Sequence, residues 1–186
     1  MIKMCSLNLL LYIFSIIFLF IVFFNLYFKR DPKRNIVLNE KYILSPADGK
    51  VIDIIRNDEC YIIKIFMNIF DVHIQRSPVS GVIEDIEYKK GKFVPADREQ
   101  ASEKNEQNII TINSKYGIFK VKQIAGVLAR RIKCWLEKNK QITQGEKIGM
   151  ILLGSQVDLY IYNKKIDLKI NKFDKVKSGI TVIAEI

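Results

Sequence analysis

Apolar residues fall along this chain in two regimes. From Met4 to Phe28 there are 25 consecutive uncharged residues, nearly all Leu, Ile, Phe, Val or Tyr. About 20 suffice to cross the hydrocarbon core of a bilayer, so this stretch predicts a membrane-spanning helix. It has no polar face, unlike a helix that packs on a soluble core. It also outruns a signal-peptide h-region, and no A-x-A-like cleavage site follows, which favours an uncleaved anchor over a secretory leader. Behind it stand four basic residues in six, Lys29-Arg30-Asp31-Pro32-Lys33-Arg34, against only Lys3 and the amino terminus on the other flank. The positive-inside rule then places the following domain on the cytoplasmic face of the cell (inner) membrane.

From residue 35 onward the pattern changes to short β-branched and aromatic runs, broken by Gly, Pro, Asn and Asp every 8 to 15 residues. Most are too short for amphipathic helices and predict strands over 50–56, 61–67, 72–75, 82–88, 109–112, 118–125, 148–152, 157–161, 166–170 and 181–184. So many strand edges call for closure, so the predicted fold is mainly β: an antiparallel barrel or sandwich with few short helices. The predicted organisation is an anchor over residues 1–28 and a β-rich domain over 29–186. One polar, irregular stretch, Pro95 to Gln107, predicts a long loop or short helix of the kind that often carries function.

Composition narrows the chemistry. The 186 residues carry 30 Lys and Arg against 20 Asp and Glu, a formal charge of +10. Such a surface favours anionic partners, whether nucleic acid, acidic ligands or anionic lipid. Cys5, Cys60 and Cys134 are odd in number, widely spaced and contain no C-x-x-C pair, so neither a disulfide framework nor a cysteine zinc site is indicated. His73 is the one histidine, which removes mechanisms and metal sites that need two imidazoles.

Three short segments carry reactive groups: Ser45-Pro46-Ala47-Asp48-Gly49-Lys50, Asp71-Val72-His73-Ile74-Gln75-Arg76-Ser77-Pro78, and Leu153-Gly154-Ser155. Together they supply a carboxylate, an imidazole and a hydroxyl, the parts of a nucleophilic triad. Each also has a plain alternative: a turn whose Asp caps its own backbone, a packed histidine in a strand, and a Gly-Ser hairpin. Ser155 lacks the G-x-S-x-G elbow of serine hydrolases. A glycine directly before it instead offers an unhindered carbonyl, so Ser155 could attack its own preceding peptide bond and shift the acyl group from nitrogen to oxygen. Elimination from that ester would leave dehydroalanine, which hydrolyses to ammonia and an N-terminal pyruvoyl group.

The residues around these segments resemble the phosphatidylserine decarboxylases, specifically their short branch. Tyr27-Phe28-Lys29-Arg30-Asp31-Pro32-Lys33-Arg34 is similar to the juxtamembrane F-F-R-D-P-x-R, and Pro46-Ala47-Asp48-Gly49-Lys50-Val51 to P-A-D-G-x-V. Met67 to His73, with Arg76, Pro78 and Gly81, is similar to the M-x-x-x-x-V-H segment. Ala101 to Glu106, Ala125 to Ile132, and Gly149-Met150-Ile151 leading into Leu153-Gly154-Ser155 also match. Six matches in order are far more specific than any one of them.

The resemblance implies that Asp48, His73 and Ser155 drive self-cleavage between Gly154 and Ser155. The products would be a β subunit, residues 1–154, and an α subunit, residues 155–186, paired as a heterodimer or higher oligomer. The covalent cofactor would be the pyruvoyl group made from Ser155, with no metal. The substrate would be phosphatidylserine in an anionic membrane, and the product phosphatidylethanolamine, with no nucleic-acid partner. Where the long branch has a second histidine and L-G-S-T, this chain has Phe70 and Gln156; short-branch members often carry a basic residue at Leu152 and Arg at Gln156. Nine basic residues against two acidic ones between Lys115 and Lys147 suit an anionic bilayer as well as a solvated face. Within that run, Arg130 and Arg131 are candidates for phosphate or carboxylate contact.

Two other classes fit parts of the chain. Ser77 to Ile83 followed by Lys90 to Val94 has the cadence of a non-catalytic lipoyl-like barrel-sandwich module, without a clear M-K-M or D-K-A signature. A nucleic-acid binder fits the charge, but the aromatics are not interleaved with the basic run as stacking platforms require.

Overall fold

A computed structural model describes residues 2–92, 101–126, 131–152 and 155–186. It divides into two compact units, residues 1–30 and 31–186. The first is helix α1 (Ile2–Phe28). No Gly or Pro interrupts it, and Ser15 Oγ and Asn25 Nδ2 donate to the carbonyls of Leu11 and Ile21 one turn back, which hides their polarity. Leu10–Phe28 is apolar enough to cross a membrane, with a mean hydropathy of 2.5 and most of its large side chains exposed.

The second unit is mainly β, and every strand pairing is antiparallel. In chain order it contains β1 (Tyr42–Leu44), β2 (Gly49–Arg56), β3 (Tyr61–Met67), β4 (Ile74–Arg76), β5 (Gly81–Lys89), the one-turn α2 (Ala101–Lys104), β6 (Gln107–Ser114) and β7 (Gly117–Ala125). Then follow β8 (Ile132–Cys134), β9 (Gln141–Ile142), β10 (Lys147–Ile151), β11 (Ser155–Ile161), β12 (Asp167–Leu168), β13 (Lys175–Val176) and β14 (Val182–Glu185). An eight-stranded sheet runs β13-β2-β3-β11-β7-β6-β5-β9, and two three-stranded sheets run β1-β14-β12 and β4-β10-β8. Bulges between Val51 and Asp53 and between Ile83 and Asp85 help to curl the large sheet.

The strands form where Ile, Val and aromatics alternate with polar residues. Tyr61, Ile63, Ile65 and Met67 of β3 are buried while Ile62, Lys64 and Phe66 are half-buried. In β11 and β7 the same period points Val157, Leu159, Ile161, Phe119 and Val121 into one core with Ile110, Ile112 and Ile83.

Several strand expectations shift. The strand expected over 72–75 begins at Ile74, so His73 lies just outside it. The reason is the turn before it: Asn68 N–H donates to Asp71 Oδ2 (2.8 Å), Phe70 N–H donates to Asn68 Oδ1 (2.8 Å), and the imidazole takes the Asp71 carbonyl that a ladder would use. The strand expected over 166–170 contracts to β12. The two- and three-residue strands β1, β8, β9 and β13 are too short to show a period. Ser155 opens a seven-residue strand, while Gly154 before it lies outside the described residues. Part of the predicted loop from Pro95 lies outside the described residues; its C-terminal part holds α2 and the first residue of β6.

Candidate active site

The site gathers around the C-terminal end of β3. Met67 pairs with Ser155, the first residue of β11, which pairs on its other side with Ala125 of β7. Ser155 is fully buried and its Oγ lies 3.5 Å from Met67 Sδ. The hydroxyl is therefore shielded from solvent, with the Met67 thioether against it.

His73 is fully buried as well. Its Nδ1 lies 2.9 Å from the Asp71 carbonyl oxygen. A carbonyl only accepts, so Nδ1 carries the hydrogen, and in the neutral ring Nε2 is left as the basic nitrogen.

A chain of buried amides fixes this corner. Asn108 Nδ2 donates to Gln123 Oε1 (2.8 Å), Gln123 Nε2 donates to Gln75 Oε1 (2.8 Å), and Gln75 Nε2 donates to the His73 carbonyl (2.8 Å) and approaches Met67 Sδ (3.6 Å). Met67 thus touches both the Ser155 hydroxyl and the amide that holds His73. Gly149 is needed where β10 crosses this chain, because a Cβ there would lie 2.3 Å from the Lys133 carbonyl oxygen and 2.9 Å from Gln123 Nε2.

Asp48 sits in the bend between β1 and β2. Arg34 Nη2 donates to its Oδ2 (2.9 Å) and Ser178 N–H to its Oδ1 (2.8 Å), with both side chains of the ion pair mostly buried. Gly49 follows at φ +152°, and a Cβ there would lie 2.2 Å from the Phe66 carbonyl oxygen, so only glycine lets β2 close against β3. A cleft of about 320 Å³ is lined by Asp48, Lys50, Asn68, Asp71, Lys175 and Lys177, among others. It joins the Asp48 bend to the turn that holds His73.

A family profile described as phosphatidylserine decarboxylase matches residues 21–184. The chain belongs to the phosphatidylserine decarboxylase family. It is 43% identical over 183 residues to a "Phosphatidylserine decarboxylase proenzyme" of Desulfotalea psychrophila, covering 94% of this chain and 85% of the relative. A protein of the same name from Carboxydothermus hydrogenoformans is 41% identical over 178 residues, 92% of this chain and 82% of the relative. A "Putative archaetidylserine decarboxylase proenzyme" of Methanosarcina barkeri is 46% identical over 164 residues, 88% of this chain and 78% of the relative.

Within this decarboxylase-family domain, Gly154 and Arg130 lie outside the described residues. Arg131 is exposed, and its carbonyl accepts from Leu152 N–H (3.3 Å). The sequence reading missed Arg34, Ser178 and the three amides. Gln123 did leave a signal, since it occupies an inward position in the alternation Phe119, Val121, Gln123, Ala125. Asp158, two residues beyond Gln156 on the opposite face of β11 from Ser155, was missed too. It is fully buried, accepts from Gln156 Nε2 (2.6 Å), and pairs in register with Lys64 and Lys122. Burial pulls the Lys122 ammonium below its usual pKa, with the Asp158 charge opposing; burial and that same charge push the Tyr160 phenol up.

Proposed function

We propose that this chain is a proenzyme that cuts itself between Gly154 and Ser155 and then decarboxylates phosphatidylserine to phosphatidylethanolamine. The observation that carries this reading is the enclosed Ser155 at the head of β11, directly after Gly154 in sequence and in contact with Met67, which also meets the amide that holds His73. Ser155 Oγ attacks the Gly154 carbonyl carbon, the peptide C–N bond breaks as the acyl group moves to oxygen, and His73 Nε2 takes the hydroxyl proton and returns it to the leaving nitrogen. Loss of the Ser155 α-proton with departure of the 1–154 carboxylate leaves dehydroalanine, and water converts it to pyruvoyl with release of ammonia. That carbonyl supplies the electron sink needed when the serine head group loses carbon dioxide.

Asp48 is the acidic member of the set. Arg34 and the Ser178 amide fix its carboxylate on the cleft it shares with Asp71. The exposed Arg131 suits contact with an arriving phosphate or carboxylate, and Arg130 is its companion candidate. After cleavage the 155–186 piece stays bound as the α subunit of an α/β heterodimer, because β11 is laced between β3 and β7, β13 to β2, and β14 to β1. The basic residues after α1 put the domain on the cytoplasmic face of the inner membrane.

Intact mass after expression tests the reading: two fragments, the smaller with a blocked N-terminus, are expected. Ser155→Ala is expected to remain one inactive chain, and a processed, active alanine variant would overturn the mechanism. Presenting ester-linked and ether-linked serine lipids in parallel vesicles assigns the lipid class.

A further inference from the structure

Two exposed phenylalanines, Phe70 (64%) and Phe173 (60%), lie in turns beside residues that line the Asp48 cleft. Phe70 lies in the turn whose ends, Asn68 and Asp71, line the cleft. Phe173 lies at the tip of a turn next to β13, with Lys50 Nζ 4.7 Å and Lys172 Nζ 5.6 Å from its ring centroid. A bulky residue at φ +77° is uncommon and is kept only where the surroundings impose it. Here Phe173 N–H donates to the Val51 carbonyl (2.7 Å), Val51 N–H to the Asp174 carbonyl (2.9 Å), and Asn171 N–H to Asp174 Oδ2 (2.8 Å). A pinned turn therefore spends backbone strain to hold an aromatic ring out in solvent.

Lysines outnumber carboxylates around it, although Asp48 and Asp71 line the cleft and Lys172 pairs with Asp53 (3.1 Å). From Lys164 to Lys177 there are six lysines against two aspartates, and Lys50, Lys175 and Lys177 line the cleft itself. Arg34, which binds Asp48, stands in the basic run that follows α1 in the sequence. An aromatic ring flanked by lysines, with a second exposed ring beside the same cleft, matches the headgroup layer of an anionic bilayer, where rings enter the interface and ammonium groups meet lipid phosphates.

We propose that the Phe70 and Phe173 turns, with Lys172, Lys175 and Lys177, dock the Asp48 cleft onto an anionic lipid surface. This rests on the membrane placement proposed above and not on the decarboxylation, so the two are tested apart. The full chain carrying Trp135→Phe and Phe173→Trp is reconstituted in phosphatidylcholine vesicles with increasing phosphatidylglycerol. Quenching of the new tryptophan by brominated acyl chains and by aqueous acrylamide is then measured. Phe70→Trp in the same background is a second reporter that leaves the strained turn intact.

Lipid quenching is expected to rise, and acrylamide quenching to fall, with phosphatidylglycerol content. Changing Lys172, Lys175 and Lys177 together to Gln is expected to lower the docked-to-undocked ratio roughly a hundredfold, about fivefold per lysine. Both reporters remaining open to acrylamide and unquenched by lipid in an inserted chain would overturn the docking while leaving the catalytic reading intact. Protection from acrylamide that ignores lipid charge would place the turns against protein instead, and also overturn it. A chain that salt washes off the vesicles would overturn the membrane placement and the docking with it.

Discussion

Replacing Gln123 by Leu isolates the buried amide chain from everything else near Ser155. Gln123 is fully buried, accepts from Asn108 Nδ2 and donates to Gln75 Oε1, each at 2.8 Å. Leucine removes both partners at once. Gln75 cannot turn to compensate, because its Nε2 is committed to the His73 carbonyl. One donor and one acceptor are left buried, at about 1–3 kcal/mol each. The buried leucine returns roughly 1.5 kcal/mol of transfer free energy, leaving a net loss of about 1–4 kcal/mol. That is a fraction of the roughly 5–15 kcal/mol that holds a domain together, so the fold should survive and the loss should be measurable. Urea unfolding of the full chain in detergent, in a Ser155→Ala background that keeps it in one piece, should show a midpoint lower by about 1 M. Gln75→Met should also destabilise, and the double variant should lose about 2–6 kcal/mol less than the sum, because the Gln75 oxygen and the Gln123 donor that the single changes strand are both absent from it. In the Ser155 parent, Gln123→Leu should slow self-cleavage about ten- to hundredfold, since Gln75 sets both the His73 carbonyl and Met67. An unchanged midpoint, or strictly additive losses, would refute the view that these amides act as one unit.

Arg34→Ala should leave the Asp48 carboxylate short of its partner and cost about 3 kcal/mol, with slower maturation; thermal melting and gel-resolved cleavage read both, and an unaffected variant would deny the pair its role. Gly49→Ala should cost more than about 2 kcal/mol through the collision with the Phe66 carbonyl and the forced φ, seen as loss of cooperative unfolding or of soluble expression. Burial works to raise the Asp31 carboxyl, but Lys147 and Arg76 outweigh it and hold its pKa below the ordinary 3.8. Its folded-state pKa being depressed, its contribution to stability is present above about pH 4 and is lost as pH falls through the folded value. Asp31→Asn should therefore flatten the stability profile below about pH 4, while an unchanged profile would show that the ion pairs do not matter there.

How much of this protein its sequence determined by itself can be read from particular residues. The 25-residue apolar run declared α1, and the alternation in 61–67 and 118–125 declared β3 and β7, because hydrophobic period and length are local properties. Ser155, His73 and Asp48 were legible as reactive types in recognisable segments, and the family comparisons agree with the resemblance those segments carried. What only the tertiary structure decided is who holds whom. The Asp48 carboxylate is held by Arg34, 14 residues away, and by the backbone of Ser178, 130 residues away. Gln75 and Gln123 meet across 48 residues. Ser155 opens a strand because Met67 and Ala125 flank it. Strands β1, β8, β9 and β13 exist only because a partner edge was waiting for two or three residues of backbone. Hydrogen bonds between groups far apart in the chain depend on sheet register and bulge position, and these are set by the packing of the whole core rather than by any local pattern of residues.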